Sequence, residues 1–185
     1  YELLSEAQPV QTGDQIEVVE MFWYKCPHCY HLEPYIERWL QSKPDNAQFV
    51  PIPAVLGKNW AFGARAYYAL EALGLDQQLH AEVFKAIHEQ RKSLDTVETF
   101  VDWAAAHPAV KDVVDRELLL AAFDSFAVEN KVNFATLMAQ NYRITGVPAI
   151  IVDGKYRTSV TLAGSPDKLI EVINHLVALA AEERS

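Results

Sequence analysis

The chain has 185 residues, half of them hydrophobic and 11% aromatic, enough to bury a good core; with only two cysteines it is not a disulfide scaffold. A net charge of −9, a pI near 5.1 and the lack of any basic run exclude a nucleic-acid partner on electrostatic grounds. The apolar stretches are too short to span a bilayer, and the sequence opens at Tyr1 without an initiator Met or a charged-then-apolar leader, as expected of a mature or trimmed protein whose signal peptide has been removed.

Turn residues Thr12-Gly13-Asp14 lead into Gln15–Tyr24 (QIEVVEMFWY), whose β-branched and aromatic residues predict a buried strand. Pro27 breaks the extended run, and Tyr30, Ile36, Trp39 and Leu40 recur at helical spacing. The prediction is a helix from about Cys26 to Gln41, ending before Lys43-Pro44-Asp45-Asn46. Gln48–Pro53 (QFVPIP) reads as a second strand, its prolines placing it at an edge or strand end.

From Trp60 to about Tyr142 only helical patterns occur. One helix is expected over Ala61–Leu73, stopped by Gly74, and another over Asp76–Gln90. A third starts at Asp95 or Thr96, with Glu98 as capping-box partner of Asp95; Leu118–Phe123 and Phe126–Tyr142 supply one or two more. Strand character returns in Val147–Val152 and Lys155–Arg157, joined as a hairpin by the turn Asp153-Gly154. Ser165-Pro166-Asp167 caps a closing helix to about Glu183, with Leu169, Ile170, Ile173, Leu176, Val177 and Ala180 on one face.

This order, strand–helix–strand, then helices, then hairpin–helix, predicts an α/β domain formed by residues 1–59 and 143–185, interrupted by an all-helical domain over 60–142. The two cysteines, Cys26 and Cys29, fall where an open α/β sheet places its site, at the end of the first βα unit.

Two thiols at this spacing could form a staple, hold a metal or carry out redox chemistry. A bridge closing so short a loop restricts the unfolded chain little, so the staple lacks a physical motive. A metal site could draw on Cys26, His28, Cys29 and His31, but no second cysteine pair exists, and His80, His88, His107 and His175 lie singly on helical segments. Redox chemistry fits the local geometry. With Cys26 at the N-cap and Pro27 at the first helical position, the N–H groups of His28 and Cys29 point at the Cys26 sulfur and the helix dipole favours its anion. Cys29, one turn on, lies further inward. Position therefore divides the roles, Cys26 attacking and Cys29 resolving, and thiolate stabilisation makes the disulfide form a stronger oxidant. His28 adds a donor or positive charge near that sulfur, or is simply a solvated histidine.

Cys26-Pro27-His28-Cys29 after an apolar strand, followed by Tyr30, resembles the active site of the DsbA family, bacterial periplasmic thiol:disulfide oxidoreductases. Thr145-Gly146-Val147-Pro148-Ala149 resembles that family's cis-proline loop, and the hairpin Asp153-Gly154-Lys155-Tyr156 fits as well. The resemblance runs from Gln15 to the last helix. It implies a thioredoxin-like fold with an inserted helical domain and a redox-active Cys26–Cys29 disulfide that needs no bound cofactor. It further implies that Val147 and Pro148 present backbone to a substrate cysteine segment. Implied partners are newly exported, unfolded Cys-containing proteins and a DsbB-like, quinone-linked membrane protein for reoxidation; a monomer in the periplasm is expected. A reductase or isomerase of the same fold is the alternative within enzymes, and a Cys/His metal-binding protein the alternative outside them.

Glu20, six residues before Cys26, matches the family's buried acid and could relay a proton to Cys29; the alternative is a solvated strand edge. Glu33 matches another family acid and is expected at an exposed helix position, either tuning the site or merely solvated. The lysine that often partners the buried acid from the next strand is missing from QFVPIP. Trp23, Tyr24 and the aromatics of 60–68 either line a substrate surface or belong to the core.

Overall fold

The computed structural model describes residues Tyr1–Ser185. In chain order the elements are β1 (Glu2–Leu3), β2 (Ile16–Phe22), α1 (Pro27–Leu40), β3 (Ala47–Pro53), α2 (Ala61–Ala72), α3 (Asp76–His88), α4 (Val97–Ala105), α5 (Arg116–Phe123), α6 (Phe126–Asn141), β4 (Ala149–Val152), β5 (Tyr156–Thr158), α7 (Val160–Ala163) and α8 (Pro166–Arg184).

The five strands make one mixed sheet in the order β1-β5-β4-β2-β3. Only β2 and β3 run parallel, because α1 carries the chain back between them; the other pairs are antiparallel. β3 lies at the edge, as its prolines require. β2 is buried along its whole length, so both of its faces must meet apolar partners. Ile16 and Val18 join Ile150 and Val152 in a cluster built with α1 and α8, while Val19 and Met21 join a larger cluster that runs into α2–α6. The period of two along the strand makes this division. By the same parity Glu20 sits on the α1 side.

Three elements depart from expectation. The α4 cap is Thr96 with Thr99 in the reciprocal position, not Asp95 with Glu98; the Thr99 hydroxyl lies within hydrogen-bond reach of the Thr96 N–H at 3.2 Å. β1 is an extra two-residue strand whose Glu2 and Leu3 are exposed and show no apolar alternation. α7 is a single turn capped by Ser159, ended by Gly164 at φ +98°.

The hairpin turn forms as expected, with Asp153 and Gly154 both in the left-handed region, at φ +54° and +63°. A Cβ on Gly154 would come within 2.1 Å of the Gln8 carbonyl oxygen, in the segment that docks the N-terminus on the hairpin. Gly154→Ala should therefore destabilise the protein by about 2 kcal/mol or more, read in denaturant melts. No helix is long and apolar enough to cross a membrane.

Candidate active site

The β2–α1 junction aims a helix N-terminus at Cys26. Cys26 is the N-cap of α1, in extended conformation, with Pro27 following at the first helical position. The Cys29 N–H donates to Cys26 Sγ at 3.4 Å. The Cys26 thiol is held down at about 6, foremost by the hydrogen bond from the Cys29 thiol, with the backbone N–H groups of Cys29 and His28 and the His28 ring adding to it. Burial of the sulfur works against them and loses. The His28 side chain is exposed, so it acts on the sulfur from solvent.

Cys29 is completely buried, and its thiol is pushed far above the ordinary range, by burial first, then by its hydrogen bond to Cys26 and the charge of Glu20. Two chemically identical side chains three residues apart are thus separated into a thiolate and a thiol. The hydrogen bond between the two thiols, the N–H groups of the helix end and the difference in depth account for the split.

Glu20 is 1% exposed, which removes the solvated-edge reading. Burial, followed by the charges of Glu33 and Cys26, raises its carboxyl well above the usual range, and Oε1 has no hydrogen-bond partner. β3 brings no lysine to it; the paired residue is Pro51. A carboxyl so placed costs stability: Glu20→Leu should raise the unfolding free energy by about 1–3 kcal/mol, and an unchanged or lowered value in a denaturant melt would contradict this.

Glu33 corrects the expectation of an exposed position. It is 8% exposed, and its Oε1 also lacks a hydrogen-bond partner. The reason is its phase: the buried stripe of α1 is Cys29, Leu32, Glu33, Ile36 and Trp39. Glu33 lies four residues after Cys29, on the same face.

The second half of the site arrives from a turn 121 positions on in the chain. The Val147–Pro148 peptide is cis, and the Val147 carbonyl oxygen lies 3.5 Å from Cys26 Sγ. Both residues are half-buried and border a groove of about 670 Å³ that also includes His28, His31, Arg157 and Thr158. Thr158 was not picked out from the sequence; only the folding of β5 against the proline loop brings it there.

Most of the aromatics are structural. Tyr24 is 3% exposed, Tyr67 and Tyr68 are buried, and Trp23 stacks on Trp60 at 4.1 Å between centroids and 11° between planes. Lys25, next to Cys26, pairs with Asp95 ahead of α4. No group of three or more His, Cys, Asp or Glu side chains is placed to hold a metal ion. His31 thus does not join His28 and the cysteines in a ligand set.

A nucleophilic thiolate at a helix end, a buried partner thiol behind it and a carbonyl edge beside it are the working parts of a protein disulfide oxidoreductase. Comparison with known proteins agrees. The DSBA-like thioredoxin domain matches over residues 49–174. The thiol:disulfide interchange protein DsbA of Pseudomonas aeruginosa is 38% identical over 177 residues, covering 96% of this chain and 82% of that one. Coverage that complete necessarily includes the segment from Cys26 to Cys29. DsbA of Burkholderia cepacia is 32% identical over 185 residues, covering 100% of this chain and 85% of its own. Among solved structures, Pseudomonas aeruginosa DsbA superposes with a TM-score of 0.91 at 36% identity, covering 99% of this chain and 93% of that one. The oxidoreductase DsbA from Xylella fastidiosa gives 0.88 at 27%, with coverages of 99% and 95%. The fold is thioredoxin-like, and the chain belongs to the DsbA family of thiol:disulfide interchange proteins.

Proposed function

We propose that the protein is a dithiol oxidase of the periplasm, donating its Cys26–Cys29 disulfide to exported, unfolded proteins. The observation that carries this reading is the opposite displacement of the two thiols, Cys26 down to about 6 and Cys29 far up. A stabilised Cys26 thiolate favours the dithiol form, so the disulfide form gives up its bond readily.

A substrate thiolate attacks Cys26 Sγ, forming a substrate–Cys26 bond as the Cys26–Cys29 bond breaks and its electron pair goes to Cys29. Glu20, kept protonated by burial, supplies the proton that Cys29 takes up; Glu33 sustains this by placing negative charge beside Glu20. A second thiolate of the substrate attacks the substrate sulfur and expels Cys26 as the thiolate. The substrate has then lost two electrons and the cysteine pair has gained them. Pro27 and His28 make Cys26 a good leaving group, and Val147 and Pro148 hold the substrate segment against it. The cysteine pair is itself the redox centre, and no bound cofactor is required.

Reoxidation requires an acceptor, and we assign it to a DsbB-like membrane protein linked to quinone. Mixing the oxidised protein with a reduced two-cysteine peptide tests the reading. One peptide disulfide should form per protein disulfide consumed, and membranes containing DsbB and quinone should restore the oxidised protein. Net reduction of an oxidised peptide by the dithiol form, with no forward reaction, would identify a reductase instead.

A further inference from the structure

The chemistry above leaves unused a partly buried histidine that borders the Glu33 carboxyl. His80 of α3 packs edge-on against Phe22 (4.9 Å, 88°), Tyr67 (5.7 Å, 78°) and Phe84 (5.3 Å, 86°). Three ring contacts fix the imidazole plane, and each nitrogen then faces one partner. Nδ1 lies 3.0 Å from the Tyr24 hydroxyl, and Nε2 lies 3.6 Å from Glu33 Oε1. Burial, with the nearby Tyr67, Glu33 and Asp76, keeps the Tyr24 phenol protonated. Where the Tyr24 O–H donates to Nδ1, the ring proton sits on Nε2, 3.6 Å from the Glu33 oxygen that lacks a hydrogen-bond partner.

These groups meet at a cleft of about 700 Å³ bounded by α1, β3, α2 and α3, which shares no residue with the groove beside Pro148. The surrounding groups are nearly all acidic. β2 contributes Glu20, α1 contributes Glu33 and Glu37, α2 contributes Tyr67 and Glu71, and α3 adds Asp76. β3 contributes only uncharged residues, and Lys43, ahead of it, spends its ammonium on the Ala47 carbonyl. His80 is thus the N–H donor left to face the Glu20–Glu33 pair. Cys29 is completely buried and does not border this cleft, whereas Glu20 does, so a proton exchanged with Cys29 reaches the cleft through the Glu20–Glu33 pair that His80 faces.

We propose that His80 is a positioning residue for proton exchange at Cys29: through Nε2 it holds the Glu33 carboxylate toward Glu20 and the cleft, making this cleft, and not the substrate groove, the route for the proton. This rests on the oxidase reading and adds the residue that takes the place of the missing strand lysine.

The test uses the reduced protein with ¹³C-labelled glutamate, titrating the buried carboxyls, together with the pH profile of peptide oxidation. Without the Nε2 donor, the state in which Glu20 and Glu33 are both ionised becomes costlier, so the last shared proton is held to higher pH. His80→Phe, which keeps the ring contacts, should move that inflection up by about half a pH unit or more, and the activity profile should follow. His80→Gln, whose amide nitrogen stands in for Nε2, should bring it back toward wild type. Tyr24→Phe, which frees the tautomer, should shift it in the same direction as His80→Phe, and so provides a second probe if either variant folds poorly. An inflection unmoved in both His80→Phe and Tyr24→Phe, while wild type oxidises the peptide, overturns the role of His80. Failure of the wild type to oxidise the peptide overturns the oxidase reading, and this role with it.

Discussion

Cys26→Ser should reduce peptide oxidation to the uncatalysed rate, whereas Cys29→Ser should keep a reactive thiolate and stall at a mixed disulfide. The asymmetry comes from the two environments. With Cys26 at about 6, roughly 90% of it is thiolate at pH 7, against about 1% for an unperturbed thiol. The same stabilisation makes Cys26 the better leaving group when a second substrate thiolate attacks. Cys29 cannot replace it, because it is completely buried and its thiol resists ionisation. Without Cys29, a disulfide formed between Cys26 and a substrate has no neighbouring thiol to release it. Mass spectrometry of Cys29→Ser incubated with a single-cysteine peptide, activated as a mixed disulfide with a thiol that leaves as Cys26 attacks, should show the covalent adduct in most molecules. A folded variant that accumulates none would reverse the division of roles.

The second large effect is on stability. The reduced protein should be more stable than the oxidised one at pH 7, and the gap should widen with pH. Cys26 is lowered in the folded dithiol form from 9.0 to about 6, so its contribution is fully present above the unfolded value and is lost as pH falls through the folded one. Between about pH 6 and pH 9 the reduced form should therefore gain roughly 1 kcal/mol per pH unit relative to the disulfide form, which has no thiolate to stabilise. Cys29, displaced upward, acts in the opposite sense only above pH 9.0, where the unfolded thiol would ionise. Paired denaturant melts across this range decide it. A gap that is flat or narrows between pH 6 and 8 would show that the folded site, the Cys29 thiol and the helix end together, does not stabilise the thiolate.

Much of this was legible in the sequence because local rules and tertiary packing agree. Pro27 after Cys26, Ser165 before Pro166 and Asp153-Gly154 each have one low-energy local structure, and the fold uses all three. The proline loop was legible through resemblance alone, since nothing local says that Val147 will meet a sulfur 121 positions away. Glu33 was not legible as buried because a carboxylate on a helix ordinarily faces water, yet it falls on the stripe with Cys29, Leu32 and Ile36. The role of His80 has no local signature at all, because its partners, Tyr24 and Glu33, come from elements that meet α3 only in the folded protein. β1 is held by backbone pairing with β5, and two exposed residues carry no pattern to announce it.

Glu20 joins these threads. Removing its carboxyl should stabilise the fold, yet the proposed chemistry needs it protonated beneath Cys29. Stability given up at a buried, unpartnered group is what a functional site would explain and a purely structural one would not.

The most direct test of the oxidase reading is the equilibrium reduction potential of the Cys26–Cys29 couple, measured against glutathione with the Cys26 thiolate titrated in parallel. A potential well above about −180 mV, with Cys26 ionising near pH 6, is the predicted result. A potential near about −270 mV, the range of a thiol reductant, would contradict the account.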